Sequence, residues 1–396
     1  MRASHRFGVL WLAALLLPAL GAPLDAEPFR PERDDVVVET LPAADPLLAD
    51  SLREQRARLA ENPEDLSIAI RLAAGYAELG RSRGDPRYDG YAEAALAPWW
   101  NQASPPVPVL LLRATLIQRR HDFEAALADL DQVLARQPEH PQAWLSKATI
   151  LALRGELDGA LAACEQLAGQ LVPLMEAGCV ASVARNTTGA AAAYDMLAAR
   201  VRESGASHPR ITVWSQTLLG ELAAQLGDPA RAEAHFLEGL NADGDDPYLL
   251  GAYADLLLDQ DRAEAARQLL EAWEAVDPLL LRLAIAEDHL DHPARDRHVA
   301  MLAERFEAAR RRGDVVHRRE EARFALALLN QPERALGLAL ANVAVQREPA
   351  DLRLVLAAAL AAGRLEAARP VFDWLERSGL IDPHIRALQA RFLEAS

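Results

Sequence analysis

Two aromatic residues, Trp214 and Tyr248, stand 34 positions apart, and each is followed seven residues later by a carboxylate, Glu221 and Asp255. Seven residues make two helical turns, so on a helix each ring shares a face with its acid. Gln225 and Asp259 extend the two faces by a further turn. Such a surface can hold an extended basic segment, its cationic heads paired to the acids and its stems laid on the rings. The simpler alternative is that the rings pack on the preceding helix while the acids are solvated. Charge is unevenly spread around these positions. Glu221 to Asp291 holds seventeen Asp and Glu against four Arg, in a chain of net charge −16, whereas His292 to Arg323 holds nine Arg against six acids. An acidic surface abutting a basic one predicts steering of a cationic partner, or head-to-tail association of two copies, rather than nucleic-acid binding.

A second candidate patch lies earlier, where Arg87, Tyr88 and Tyr91 follow Arg81 and Arg83, and Trp99 and Trp100 follow in turn. Arginine and aromatic side chains of this kind are enriched in binding hot spots. The two tryptophans equally suit a buried joint to the next element. Metal chemistry has a weaker basis: His289 and His292 sit beside Asp288 and Asp291, but no second pair arrives at a diagnostic spacing, so no metal is expected. The run Asn241 to Asp246 has the flavour of a calcium loop without its closing glutamate. No Gly-x-Ser-x-Gly elbow, phosphate-binding glycine loop or His-Glu-x-x-His helix is present, and His317 near Glu320 and Glu321 is explained as well by a solvated helix face. The expectation is a protein that is not an enzyme and takes no cofactor.

What positions these residues is a helical hairpin that recurs. Between His140 and Gln166, Trp144, Ala148 and Leu151 share one helix face, Ala160 and Cys164 share another, and Gly155 stands at the turn. Subtracting 34 from Trp144, Ala148, Leu151 and Ala160 gives Leu110, Ala114, Ile117 and Ala126. The same period carries Leu219, Gly220, Ala223, Ala232 and Phe236 onto Tyr253, Ala254, Leu257, Ala266 and Leu270. Large residues facing small ones let helices cross closely. One hairpin cannot bury its own apolar face, so the units must stack. About nine units fill residues 51–396, with a seven-residue insert near 81–91 after Gly80, a degenerate unit near 279–313 and a C-terminal capping helix from Asp382. Composition agrees: 51% hydrophobic, 25% charged and only 5% aromatic residues favour helix packing over sheets.

The amino terminus reads differently. Arg2, His5 and Arg6 precede an apolar run from Phe7 to Leu20 that ends in small residues, the layout of a secretory signal peptide over residues 1–26; the run is short for a membrane span, and an uncleaved N-terminal anchor is the alternative. Residues 27–50, with four prolines and interspersed charge, read as a flexible tail. Export to an oxidising compartment would let Cys164 and Cys179, on successive antiparallel helices, form a disulfide; two unpaired core cysteines are the alternative.

The repeat face resembles the tetratricopeptide repeat (TPR) family from about Pro63 to Gly379. Three stretches, Gly84 to Trp100, His317 to Phe324 and Ala341 to Asp351, look like a subgroup of exported bacterial proteins of unassigned function. The resemblance implies an all-α, right-handed superhelical solenoid of antiparallel helix pairs that binds peptides or proteins on its concave side. Some members hold a chaperone's terminal carboxylate with lysines and asparagines; here Lys147 is the only lysine in the chain, which departs from that pattern. The expectation is therefore a protein-binding scaffold of the cell envelope, in the periplasm of a Gram-negative bacterium, with an acidic groove around Trp214, Glu221, Gln225, Tyr248, Asp255 and Asp259. Its partner would be a protein or peptide with a basic segment. The alternatives are a structural protein that self-associates or docks on a membrane complex, and a metal or small-ligand binding protein.

Overall fold

A computed structural model describes Arg33 and residues 46–395, except 206–207 and 314–315. The signal-peptide expectation and nearly all of the tail lie outside the described residues. The chain divides between Ala49 and Asp50, and everything below concerns the unit from Asp50 onward.

After α1 (Pro46–Glu61), helices follow as antiparallel pairs: α2 (Leu66–Arg83) with α3 (Arg87–Ala95), then a single turn, α4 (Ala97–Trp100). Next come α5 (Val107–Arg119) with α6 (Phe123–Arg136), α7 (Pro141–Arg154) with α8 (Leu157–Glu165), and α9 (Pro173–Ala184) with α10 (Ala190–Ser204). The middle holds α11 (Pro209–Gln225) with α12 (Pro229–Ala242), α13 (Pro247–Asp259) with α14 (Ala263–Leu270), and α15 (Asp277–His289) with α16 (Arg295–Arg311). The chain ends with α17 (Arg318–Ala327) and α18 (Pro332–Val343), α19 (Pro349–Ala361) and α20 (Arg369–Ser378), and a closing α21 (Pro383–Ala395). No strand occurs among the described residues, and none of their helices is long and apolar enough to cross a membrane.

Local chemistry sets these boundaries. Asp228 and Asp246 cap α12 and α13 by accepting hydrogen bonds from backbone N–H groups, with a proline just inside each helix, where its missing N–H costs nothing. At α19, Glu348 and Asp351 form a reciprocal capping box. Within every pair except α9–α10 the chain reverses through a left-handed residue. Gly155, Gly227 and Gly363 serve three of the turns, but His121, Asp261, Asp291 and Asn330 occupy the corresponding place in four others. Those four carry the cost of a Cβ at positive φ, about 1 kcal/mol each.

The insert near 81–91 is not a loop. Gly80 does not end α2; the helix runs on to Arg83 and stops at Gly84 (φ 60°), and α3 starts three residues later. Gly80 is needed within the helix because Asp89 packs over it, so that a Cβ there would lie 3.0 Å from Oδ1 of Asp89. Elsewhere, missing side chains admit rings from later helices: a Cβ on Gly220 of α11 would lie 2.4 Å from Phe236 of α12, and one on Gly178 of α9 2.0 Å from Trp214 of α11.

The pairs stack as a solenoid wound tightly enough for distant units to touch. The Arg347 N–H donates to the Leu153 carbonyl at 2.7 Å, and its guanidinium to the Arg154 carbonyl at 2.8 Å. Thr188 packs against Gly379, Trp374 against Gly155, and Val276 against Gly84. Arg81 pairs with Asp246 at 2.8 Å. The first pair thus meets the α12–α15 region, and α7 to α10 meet the last pair. The closing helix α21 buries Ile385 and Phe392.

Candidate partner-binding cavity

Tight winding leaves a cavity of about 1000 Å³ on the inner side of α13, α15, α16, α17, α19 and α21. Glu221, Tyr248, Asp255 and Asp259 all line it, so the heptad spacing brings four of the six expected groove residues to one surface.

Their charges are already engaged. Glu221 accepts from the Arg185 guanidinium at 2.6 Å and from the Tyr248 hydroxyl at 2.7 Å. Asp255 accepts from Arg282 at 2.6 Å and from Arg323 at 2.7 Å. Asp259 accepts from Arg353 at 2.9 Å, with His384 at 3.3 Å. Burial alone would raise the Asp255 carboxyl, but the two guanidiniums outweigh it and hold the group down at about 2. Tyr248 is 58% exposed, and its hydroxyl donates to the Glu221 carboxylate. The acids expected to receive a basic partner therefore hold arginines of the chain itself.

The remaining two positions are structural. Trp214 lies half-buried over Gly178 of the preceding pair, which is the packing alternative for that ring. Gln225 is buried, and its amide donates to the Arg185 carbonyl at 2.6 Å and to the Ile381 carbonyl at 2.8 Å, tying α11 to the end of the solenoid.

The second patch separates into two. Tyr88 and Tyr91 join Tyr76 in a cluster with ring centroids 5.5–6.3 Å apart, and Tyr91 stays 54% exposed. Arg87 pairs with Asp85 at 2.8 Å. Trp99 and Trp100 are half-buried on α4, where the Trp100 carbonyl accepts from Arg113.

Cys164 and Cys179 are bonded to each other, joining α8 to α9. His292 accepts from the Ala294 N–H and lies 3.7 Å from Glu287, while His289 stands at the cavity rim. Among the described residues no group of three His, Cys, Asp or Glu is placed to hold a metal ion.

Sequence reasoning missed the arginines. The cavity wall carries nine, including Arg185, Arg282, Arg319, Arg323 and Arg353, against six carboxylates. Arg319 sits between Glu348 and the buried Asp351, reaching the latter at 3.0 Å. The signal was present in the arginine-rich run from His292 to Arg323, read there as a surface for a second molecule.

A tetratricopeptide repeat family model matches residues 111–173 and 217–278. These are the two regions where the 34-residue period is exact. Among solved structures, a tetratricopeptide repeat protein from Parabacteroides merdae is 16% identical, with TM-score 0.44, over 60% of this chain and 92% of that one. Yeast Tom70 is 11% identical, with TM-score 0.32, over 88% of this chain and 92% of that one. The Cut9–Hcn1 hetero-tetramer of the APC/C aligns at 15% identity and TM-score 0.40, over 78% of this chain and 52% of that one. No curated protein matches. With paired helices throughout, alanine and glycine at the crossings, and two segments matching the repeat model, the chain carries tetratricopeptide repeats.

Proposed function

We propose that the protein is a non-enzymatic binding scaffold of the cell envelope whose inner cavity receives an extended segment of a partner protein. The observation that carries this reading is the cavity itself. It is bounded by helices of five successive pairs and α21, and its size suits a short stretch of chain in extended form. Stacked repeats present continuous concave surfaces of this kind to protein partners. The Cys164–Cys179 bond supports an oxidising compartment, and with it the exported, periplasmic location expected from residues 1–26.

A basic partner segment is no longer the reading that the geometry favours, because Glu221, Asp255 and Asp259 are each held by an arginine. Association of two copies through the same charges has the same difficulty. The reading is tested by cross-linking the exported protein in its own compartment and identifying what is recovered. Ala387 is exposed and lines the cavity, so Ala387→Trp should obstruct the space without disturbing the core. Loss of one specific partner with this variant, at unchanged melting temperature, is the expected result; undiminished recovery would remove the cavity as the site.

A further inference from the structure

We infer that the segment held in this cavity carries acidic and apolar side chains together on one side, an inference that rests on the cavity being the binding site. The argument begins with which charges remain after internal pairing. Of the six carboxylates in the wall, Glu221, Asp255 and Asp259 are paired as described, Asp277 holds Arg305 at 2.6 Å, and Glu348 holds Arg319. Only Glu320 has no ion pair among the described residues. On the cationic side, Arg312 and Arg391 have none, and both are exposed. The spare charge of the cavity is positive.

Its distribution is also one-sided. The wall formed by α16, α17, α19 and α21, together with Arg312 at the end of α16, contributes six arginines; Arg305, Arg319, Arg323 and Arg353 are paired within the chain, and Arg312 and Arg391 are left to meet a partner's acids. Guanidinium forks match carboxylates in shape as well as charge. A concave, partly enclosed surface of one sign concentrates its field on what enters.

Apolar residues are interleaved with these cations. On α21, His384, Leu388 and Arg391 are spaced four and three residues apart and share a face. On α19, Leu354 adjoins Arg353, and on α17, Leu326 lies three residues beyond Arg323; both leucines are half-buried and so open to contact. An extended chain presents successive side chains to opposite sides. A segment that carries both carboxylates and leucine-sized groups at every second position therefore turns both kinds of side chain to this wall, its acids towards Arg312 and Arg391 and its apolar groups towards Leu326, Leu354 and Leu388.

The test is fluorescence anisotropy with the full mature chain and a labelled ten-residue peptide in which glutamate and leucine take turns at every second position, with serine between them. The comparators are the same peptide with lysine for glutamate and with serine for leucine. The expected result is that the acidic peptide binds at least about tenfold more tightly than either comparator, with an affinity that falls as salt rises. The double substitution Arg312→Glu with Arg391→Glu, at exposed and unpaired positions, should weaken it by about tenfold or more. Equal or tighter binding of the lysine peptide, or an unaffected double variant, would overturn the inference. The two readings fail separately. If Ala387→Trp abolishes partner recovery while the acidic peptide shows no preference, the cavity is the site and the acidic class is wrong. If Ala387→Trp changes neither recovery nor peptide binding, both are wrong.

Discussion

Replacing Asp255 with asparagine keeps the volume of the side chain and removes the charge that two guanidiniums share. Arg282 and Arg323 approach it from α15 and α17 at 2.6 and 2.7 Å, so the variant leaves two cations facing a neutral amide. The carboxyl is held at about 2, against 3.8 for an unperturbed aspartate, and a difference of that size corresponds to about 2 kcal/mol. Asp255 is one-third exposed, so solvent screening reduces the effect to about 1–2 kcal/mol. The sign follows from the depressed value: the stabilisation is fully present above pH 3.8 and is lost as pH falls through 2. Urea denaturation of wild type and Asp255→Asn should therefore show a constant gap of about 1–2 kcal/mol from pH 8 to pH 5. Below about pH 4 the gap should shrink, followed as far down as the wild type stays folded. No gap at neutral pH, or a gap that ignores pH, would refute the claim that this acid is held by its two arginines.

Three further outcomes can be measured on the same preparation. Gly178→Ala places a methyl group 2.0 Å from Trp214 and should cost about 1–3 kcal/mol in denaturation, partly recovered by Trp214→Phe; a neutral effect would mean that Trp214 does not pack there. The Cys164–Cys179 bond closes a separation of 15 residues, so its reduction should cost about 3 kcal/mol, and a melting curve indifferent to reductant would count against the bond. Asp261→Gly relieves a non-glycine residue at φ 57° and should raise stability by about 0.5–1 kcal/mol, checked by the urea midpoint; a lowered midpoint would show that the Asp261 side chain outweighs its strain.

The helix pairs were legible because alanine and glycine at the crossings recur every 34 residues, and a period is a local property of sequence. The α7–α8 and α13–α14 pairs begin and end close to where that spacing puts them. The turn residues were less legible: His121 and Asp261 carry left-handed backbone where the spacing alone marks glycine, because the repeat fixes the backbone and tolerates the cost. The extension of α2 past Gly80 is not legible in the period, because glycine commonly ends a helix, whereas here it lies under Asp89.

Within the candidate site, the shared face of Glu221, Tyr248, Asp255 and Asp259 followed from two-turn spacing. Their partners did not. Arg323 lies 68 residues from Asp255, and Arg353 lies 94 from Asp259. No period specifies how tightly a solenoid winds; small rotations between pairs decide it, and they are set by packing at every joint. The segregation of acids and arginines along the chain was visible as charge but ambiguous in meaning, since a partner, a second copy and a later turn of the same chain all satisfy it.

On the inner face, the acids of α11 and α13 are neutralised by arginines of the chain itself. The most direct test of this is a charge exchange across the cavity between Asp259 and Arg353, which pair at 2.9 Å. Asp259→Arg and Arg353→Asp should each lower stability, and the double variant should recover about 0.5–1 kcal/mol relative to the sum of the two. A double variant no better than that sum would mean that the two residues do not meet, and that the acids of α13 remain open to a basic partner.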